Sequence, residues 1–67
     1  MKICLKVNID KSNAVECAKD IIHMLTQNGA EILMKRDARE HFEYFEGITY
    51  YDHDNDLFAN SDKAITV

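Results

Sequence analysis

The chain has 67 residues, of which 12 are acidic and 8 basic, and its formal net charge is −4. A chain of this length forms at most one small domain, and such domains have little core to stabilise them. An acidic chain gains little from counterion release on phosphate backbones, which argues against a nucleic-acid partner. No run of residues approaches the ~20 apolar residues that cross a bilayer, and no signal-peptide core follows Met1. We therefore expect a cytoplasmic protein with no membrane partner.

The two cysteines, Cys4 and Cys17, do not have the Cys and His spacing of a zinc site. A reducing cytoplasm keeps such thiols free. We expect both cysteines to pack as small core hydrophobes. A disulfide between them is the alternative.

The first element predicted is a strand over residues 3–9, where apolar side chains alternate and share one face. The opposite face, around Cys4, is partly polar. This pattern is typical of a strand near the sheet edge, or of one whose far face is partly open.

A helix is predicted next. Asp10 or Ser12 can cap its start, and Gly29 suits the left-handed position after its last turn. Its apolar stripe has helical period and consists of Ala14, Cys17, Ala18, Ile21, Ile22 and Leu25.

Two further strands are predicted beyond this helix. Residues 31–35 follow it after a short connection, and strand, helix and strand then form a βαβ unit with a parallel pair and a right-handed crossover. Residues 48–51 read as a short extended piece, and residues 63–67 as a third strand.

Short helical pieces are predicted between these strands. Asp37 can cap a second helix that runs through Phe45 and ends at Gly47, and residues 57–60 can form one helical turn.

These elements predict one α/β domain over residues 1–67, a partial βαβ sheet of the three-layer α/β/α type. A parallel sheet needs both faces covered, and one long helix cannot cover both. Ligands of such sheets bind beyond the carboxyl ends of the strands. We therefore expect an incomplete domain whose ligand-binding loop after the last strand lies outside these residues.

Few residues suggest a metal or catalytic site. The acidic run from Asp52 to Asp56 resembles the start of a calcium loop, but Leu57 and Lys63 stand where that loop needs Gly and Glu. A solvated acidic loop is favoured instead. Asp37 and His41 have a spacing that can hold a metal on a helix, but this spacing more often reflects a capping aspartate and a surface histidine.

The loop from Asn8 to Ser12 joins the first strand to the start of the first helix. Backbone N–H groups, the helix dipole and Lys11 can meet a phosphate there. The loop lacks the glycines of the Rossmann and P-loop fingerprints, so the pattern indicates a phosphate site only weakly.

Taken together, the sequence resembles the amino-terminal part of bacterial NAD kinases, which belong with the diacylglycerol-kinase-like group. The segments that carry the resemblance are the initial Met-Lys-Ile strand, the Asn-x-x-Lys turn from Asn8 to Lys11, Ala18–Ile22, Asn28–Ile32 and Ser61–Val67. Relatives often have proline where this chain has Ile9. The family places its Gly-Gly-Asp-Gly motif directly after the strand that matches the last segment.

The resemblance implies a Rossmann-like domain whose parent protein transfers a phosphoryl group from ATP or polyphosphate to the 2′-hydroxyl of NAD, with a divalent metal such as magnesium. It implies no catalytic residue within this chain, and we expect the 67-residue piece to be inactive alone. Asn8 and Lys11 would lie on the nucleotide-phosphate side. The family forms dimers or tetramers, which implies a homo-oligomer.

A second interpretation belongs to a different class of function. The chain would be a small stand-alone βαβ module that binds a partner or itself, without catalysis. Its aromatic second half, residues 42–58, would then form an interface.

Overall fold

The computed structural model describes all residues from Met1 to Val67. Four strands form one sheet in which every pair is parallel, and they are β1 (Lys2–Lys6), β2 (Glu31–Lys35), β3 (Ile48–Tyr51) and β4 (Lys63–Thr66). The connections hold α1 (Ser12–Gln27), a 3₁₀ helix (Arg36–His41) and α2 (Asp54–Ala59). The prediction of an α/β domain with a parallel sheet is confirmed.

The strand order is β3-β2-β1-β4. The chain builds outward from β1 through β2 to β3, then crosses back and adds β4 on the other side of β1. β1 is therefore a central strand and not an edge strand. The other alternative, a far face that is partly open, agrees with the structure, because Cys4 on that face is buried while Lys2 is exposed. Residues 48–51, predicted only as a short extended piece, form the third strand, β3. The strand predicted over residues 63–67 is therefore the fourth, β4.

The two sheet faces carry different cores. Leu5, Ile32 and Met34 point to the face covered by α1 and the 3₁₀ helix, where they meet Ile22 and Phe42. On the opposite face of the sheet, Cys4 and Leu33 pack against Leu57 of α2. Both faces of the sheet are therefore in contact with a helix. α2 has only 6 residues and covers a smaller part of its sheet face than α1 covers of the other face. Ala64 and Thr66 of β4 are therefore exposed.

α1 has the predicted position, but its start and its buried stripe differ from expectation. Neither Asp10 nor Ser12 caps it, since Lys11 is the N-cap and no side-chain hydrogen bond is made there. Cys17 was expected to face inward and is exposed. The buried residues are spaced by four along one row, so position 17 lies at the margin of the stripe; they are Ala14, Ala18 and Ile22.

The segment after β2 is a 3₁₀ helix of 6 residues rather than the longer helix predicted from Asp37. Its N-cap is Lys35. Phe42 ends it with φ −129° and is fully buried, because its ring packs into the core on the α1 side. Gly29 and Gly47 have φ of 83° and 80°, as their turn positions require. The helical turn expected at residues 57–60 begins earlier, at Asp54, as α2.

Candidate functional site

The loop between β1 and α1 lies beside the end of β4. The Asn8 backbone N–H donates to the Val67 carbonyl at 3.0 Å, and the Val67 N–H donates to the Lys6 carbonyl at 2.8 Å. The β1–β4 pairing thus continues beyond both strands. It brings the two residues predicted to face a nucleotide phosphate, Asn8 and Lys11, to the carboxyl edge of the sheet.

Asn8 shapes this loop. Its side-chain oxygen accepts the backbone N–H of Asp10 at 3.2 Å, and its carbonyl accepts the N–H of Lys11 at 3.1 Å. The Lys11 carbonyl in turn accepts the N–H of Ala14 at 3.2 Å and starts α1. Asn8 therefore positions the turn, while Lys11 is exposed and faces solvent.

An open pocket of about 500 Å³ lies where this loop, α1 and β4 meet, and it is lined by Lys11, Ser12, Asn13, Ala14, Cys17 and Val67. The first N–H groups of a helix lack the usual partner one turn earlier. In α1 those of Lys11 and Ala14 donate to nearby carbonyls, and those of Ser12 and Asn13 have no such bond and no side-chain cap. The first turn of α1 also has no acidic residue. The positive end of the helix dipole therefore has no carboxylate within the first turn, which favours an anion at this end of α1.

A second pocket, of about 260 Å³, lies beyond the carboxyl ends of β1 and β2, and it is lined by Leu5, Lys6, Val7, Lys35, Asp37, Ala38 and Asp54. Asp54 bridges two ammonium groups, with Oδ1 3.3 Å from Lys35 Nζ and Oδ2 3.6 Å from Lys6 Nζ. The Lys35 ammonium, helped by that of Lys6, holds the pKa of the Asp54 carboxyl below its ordinary value of 3.8.

The acidic run from Asp52 to Asp56 is therefore more than the solvated loop that the sequence favours. Asp52 Oδ1 lies 2.8 Å from Arg36 Nε, so two carboxylates of this run pair with basic side chains at the ends of β1 and β2. No group of three or more His, Cys, Asp or Glu side chains among the 67 residues is arranged to hold a metal ion.

The histidines and thiols lie apart from both pockets, except Cys17. His41 Nε2 is 3.6 Å from Glu40 Oε1, and His23 Nε2 is 3.1 Å from Gln27 Nε2. Cys4 and Cys17 are both free thiols. Only Cys4 packs in the core as predicted.

Comparison of the chain with protein-family models, with curated proteins and with solved structures gave no match. None of its helices combines the length and the hydropathy that crossing a lipid bilayer requires.

The sequence interpretation found the Asn8–Lys11 turn but missed the basic pair at Lys6 and Lys35. The signal is present in the strands themselves, since β1 reads KICLK and β2 reads EILMK. Two parallel neighbours that both end in lysine place two ammonium groups at the same edge of the sheet.

Proposed function

We propose that this chain forms the amino-terminal, Rossmann-like domain of an NAD kinase of the diacylglycerol-kinase-like group. The parent protein would transfer a phosphoryl group from ATP or polyphosphate to the 2′-hydroxyl of NAD in the cytoplasm, as a homo-oligomer. One observation carries the proposal. The Asn-x-x-Lys turn of the family resemblance lies beside the end of β4, at the position where the strand order reverses.

The strand order makes that position the expected ligand-binding site of the sheet. In open parallel sheets, ligands bind beyond the carboxyl ends of the strands, between neighbours whose connections lead in opposite directions. Here the chain leaves β1 towards β2 on one side and returns to β4 on the other. The crevice between β1 and β4 is the one position in the sheet where the connections lead in opposite directions. The pocket that Lys11 lines opens there.

Phosphoryl transfer needs mainly positioning and charge stabilisation, and the chain offers residues for both. The Lys11 ammonium and the uncapped N–H groups of α1 would bind a phosphate. Asn8 would hold the loop in the shape that presents them. We assign no catalytic role to either residue, because neither supplies a carboxylate base.

The metal ligands and the general base of the reaction would be provided by residues outside the 67 described here. A magnesium ion, when bound, would offset the negative charge of the phosphate groups. We assign it no ligand in this chain. The general base would be the aspartate of a Gly-Gly-Asp-Gly loop after β4, as the family resemblance implies.

The reading frame beyond the Val67 codon in the source gene is the first test. We expect it to encode a Gly-Gly-Asp-Gly loop, and we expect the extended product to convert NAD to NADP with ATP or polyphosphate. A stop codon, an unrelated continuation or an extended product without this activity would remove the proposal.

Lys11→Ala in the extended protein tests the site itself. Loss of one charged phosphate contact should raise the KM for the phosphoryl donor or for NAD by about tenfold. Lys63→Ala is the matched control, because it removes the same charge from the opposite end of β4 and should leave both KM values unchanged. Equal effects of the two variants would mean that Lys11 acts only through net charge.

A stand-alone interaction module is the second candidate, and two observations favour it. Both β3 and β4 are edge strands with one unpaired side, and Phe58 on the incompletely covered face is 44% exposed. Such edges can pair with another chain. Light scattering after size-exclusion chromatography tests this candidate, since a stoichiometric dimer of the 67-residue chain supports it and a monomer at all concentrations does not.

A further inference from the structure

We propose that the pocket beyond the carboxyl ends of β1 and β2 binds a free α-amino acid with a small aliphatic side chain. The ligand ammonium would lie between Asp37 and Asp54, and the ligand carboxylate would contact Lys35 and Lys6. This site is independent of the proposed function, because its pocket is not the one that Lys11 lines.

The charged side chains of this pocket balance one another. Two lysines and two aspartates line it, namely Lys6, Lys35, Asp37 and Asp54. Arg36 and Asp52 pair with each other at 2.8 Å and leave the balance unchanged. A ligand with a net charge would upset this balance, whereas a zwitterion brings one charge of each sign. Charge complementarity therefore favours a ligand that has both charges and no net charge.

The two signs are also distributed as a zwitterion requires. Asp54 serves both lysines, with Oδ1 3.3 Å from Lys35 Nζ and Oδ2 3.6 Å from Lys6 Nζ. Asp37 forms no ion pair with any basic side chain. The lysine cluster thus has one positive charge in excess, and Asp37 adds one unpaired negative charge to the same pocket. The carboxylate and the ammonium of one amino acid would pair with these two charges.

One oxygen of Asp54 lacks a hydrogen-bond donor. Oδ1 is closed to solvent, and the contact with Lys35 Nζ at 3.3 Å does not have the direction of a hydrogen bond. A buried acceptor without a donor costs free energy. The Lys35 side chain is 30% exposed and can turn towards a ligand carboxylate. An ammonium has three N–H groups, so it can then donate to Oδ1 and to Asp37 at once.

The size and the walls of the pocket restrict the rest of the ligand. Its volume is about 260 Å³, which is smaller than the about 300–1,000 Å³ of pockets that hold drug-sized molecules. The hydrophobic part of the wall comes from Leu5, Val7 and Ala38. These surroundings suit an aliphatic side chain such as that of leucine or valine. The carboxyl ends of parallel strands are also where such sheets bind their ligands.

Titration of the ¹⁵N-labelled chain with L-leucine, followed by amide chemical shifts, tests this site. We expect shifts centred on residues 6, 35–38 and 54. 4-Methylpentanoate lacks only the ammonium of leucine, and 3-methylbutylamine lacks only its carboxylate. Each analogue should bind at least about tenfold more weakly, because one charged contact is lost. No shift with leucine, or an analogue that binds as tightly as leucine, would overturn the proposal.

Asp37→Asn tests the position of the ligand ammonium. It should weaken leucine binding by about tenfold without weakening that of 4-methylpentanoate, which has no ammonium. Asp20→Asn is the matched control, because it removes the same charge from an exposed position on α1 and should leave the affinity for leucine unchanged. Equal weakening in the two variants would overturn the role of Asp37.

The remaining outcomes are also decisive. Shifts confined to residues 11–13 would place leucine at the other pocket and overturn the site. If Asp37→Asn does not fold, the two analogues still decide, because they are tested on the natural chain. An unrelated sequence beyond Val67 would remove the kinase proposal but would leave this titration unaffected.

Discussion

The two thiols occupy different surroundings. Cys4 is fully buried between the sheet and α2, and burial raises the pKa of its thiol. Cys17 is exposed on α1. We expect an aromatic disulfide reagent at neutral pH to label Cys17 rapidly in the folded chain and Cys4 only on unfolding, because the thiolate is the reactive form.

Cys17→Ser isolates the buried thiol and provides the control. Its single remaining cysteine should react at a rate that rises with urea in step with unfolding. Rapid labelling of Cys4 in the native variant would contradict its position in the core.

Ionisation of the Asp54 carboxyl makes the free energy of unfolding depend on pH in the acid range. Its pKa is lowered in the folded chain, chiefly by Lys35, so the carboxylate stabilises the fold above its ordinary pKa of 3.8. That contribution is lost as the pH falls through the folded-state pKa. Urea unfolding should show Asp54→Asn to be less stable than the natural chain at pH 7, and the difference should disappear in acid.

Asp20→Asn is the control for this measurement, because Asp20 is exposed on α1. It should unfold like the natural chain across the same pH range. A difference for Asp54→Asn that persists unchanged into acid would mean that the asparagine acts through α2 itself rather than through the ion pairs.

At the residue scale, the sequence correctly predicts the turns but not the cap of α1, which is Lys11 and not Asp10 or Ser12. Asn8, Lys11 and Gly29 belong to turns, and turn chemistry depends on near neighbours. The Lys6–Asp54–Lys35 bridge was missed because its members come from three separate elements. The inward position predicted for Cys17 was wrong for a related reason, since the docking angle of a helix decides which margin of its stripe is buried.

At the element scale, α1 is held by a narrow row of side chains. Ile22 is fully buried against the sheet, while Met24 on the same helix is 55% exposed. Ile22→Ala should lower the free energy of unfolding by about 2–5 kcal/mol, from lost burial and the cavity left behind. Urea denaturation monitored by circular dichroism measures this.

Met24→Ala controls for the change in helix propensity. It should alter the unfolding free energy by less than about 0.5 kcal/mol, as is usual for surface sites. A small effect of Ile22→Ala would indicate that α1 does not pack on the sheet through this row.

The elements that sequence predicted well are those with a strong period of their own. α1 has 16 residues and a regular stripe, and β2 is a continuous apolar run. The 3₁₀ helix was predicted as a longer α-helix because Asp37 and Gly47 are plausible boundaries. Its early end at His41 follows from the burial of Phe42, a tertiary contact that local propensity does not contain.

At the scale of the whole molecule, the sequence predicts a parallel sheet but not its order. The βαβ rule gives the β1–β2 pair and its handedness. It does not say on which side β4 is added, and that choice creates the crevice beside Lys11. The sequence predicts β3 only as an extended piece, because it has 4 residues. None of them is fully buried in the structure, so the strand is defined by its pairing with β2.

The same architecture predicts an uneven distribution of stability across the sheet. β1 and β2 each have three consecutive buried residues and a partner strand on both sides. β3 and β4 have one partner each and no buried residue. Amide groups in the centre open only with the whole domain, whereas edges can fray by local fluctuations. Native-state hydrogen exchange should therefore give the greatest protection in residues 3–5 and 32–34, and less in β3 and β4.

Exchange in low urea sharpens this comparison. Protection in β1 and β2 should fall with the full denaturant slope of global unfolding, whereas β3 and β4 should show a shallow slope that reports local opening. If β4 exchanges as slowly as β1 and with the same slope, the crevice between them belongs to the most stable unit of the fold. The loop from Asn8 to Ser12, whose Asn8 N–H donates to the Val67 carbonyl, would then be preorganised rather than mobile.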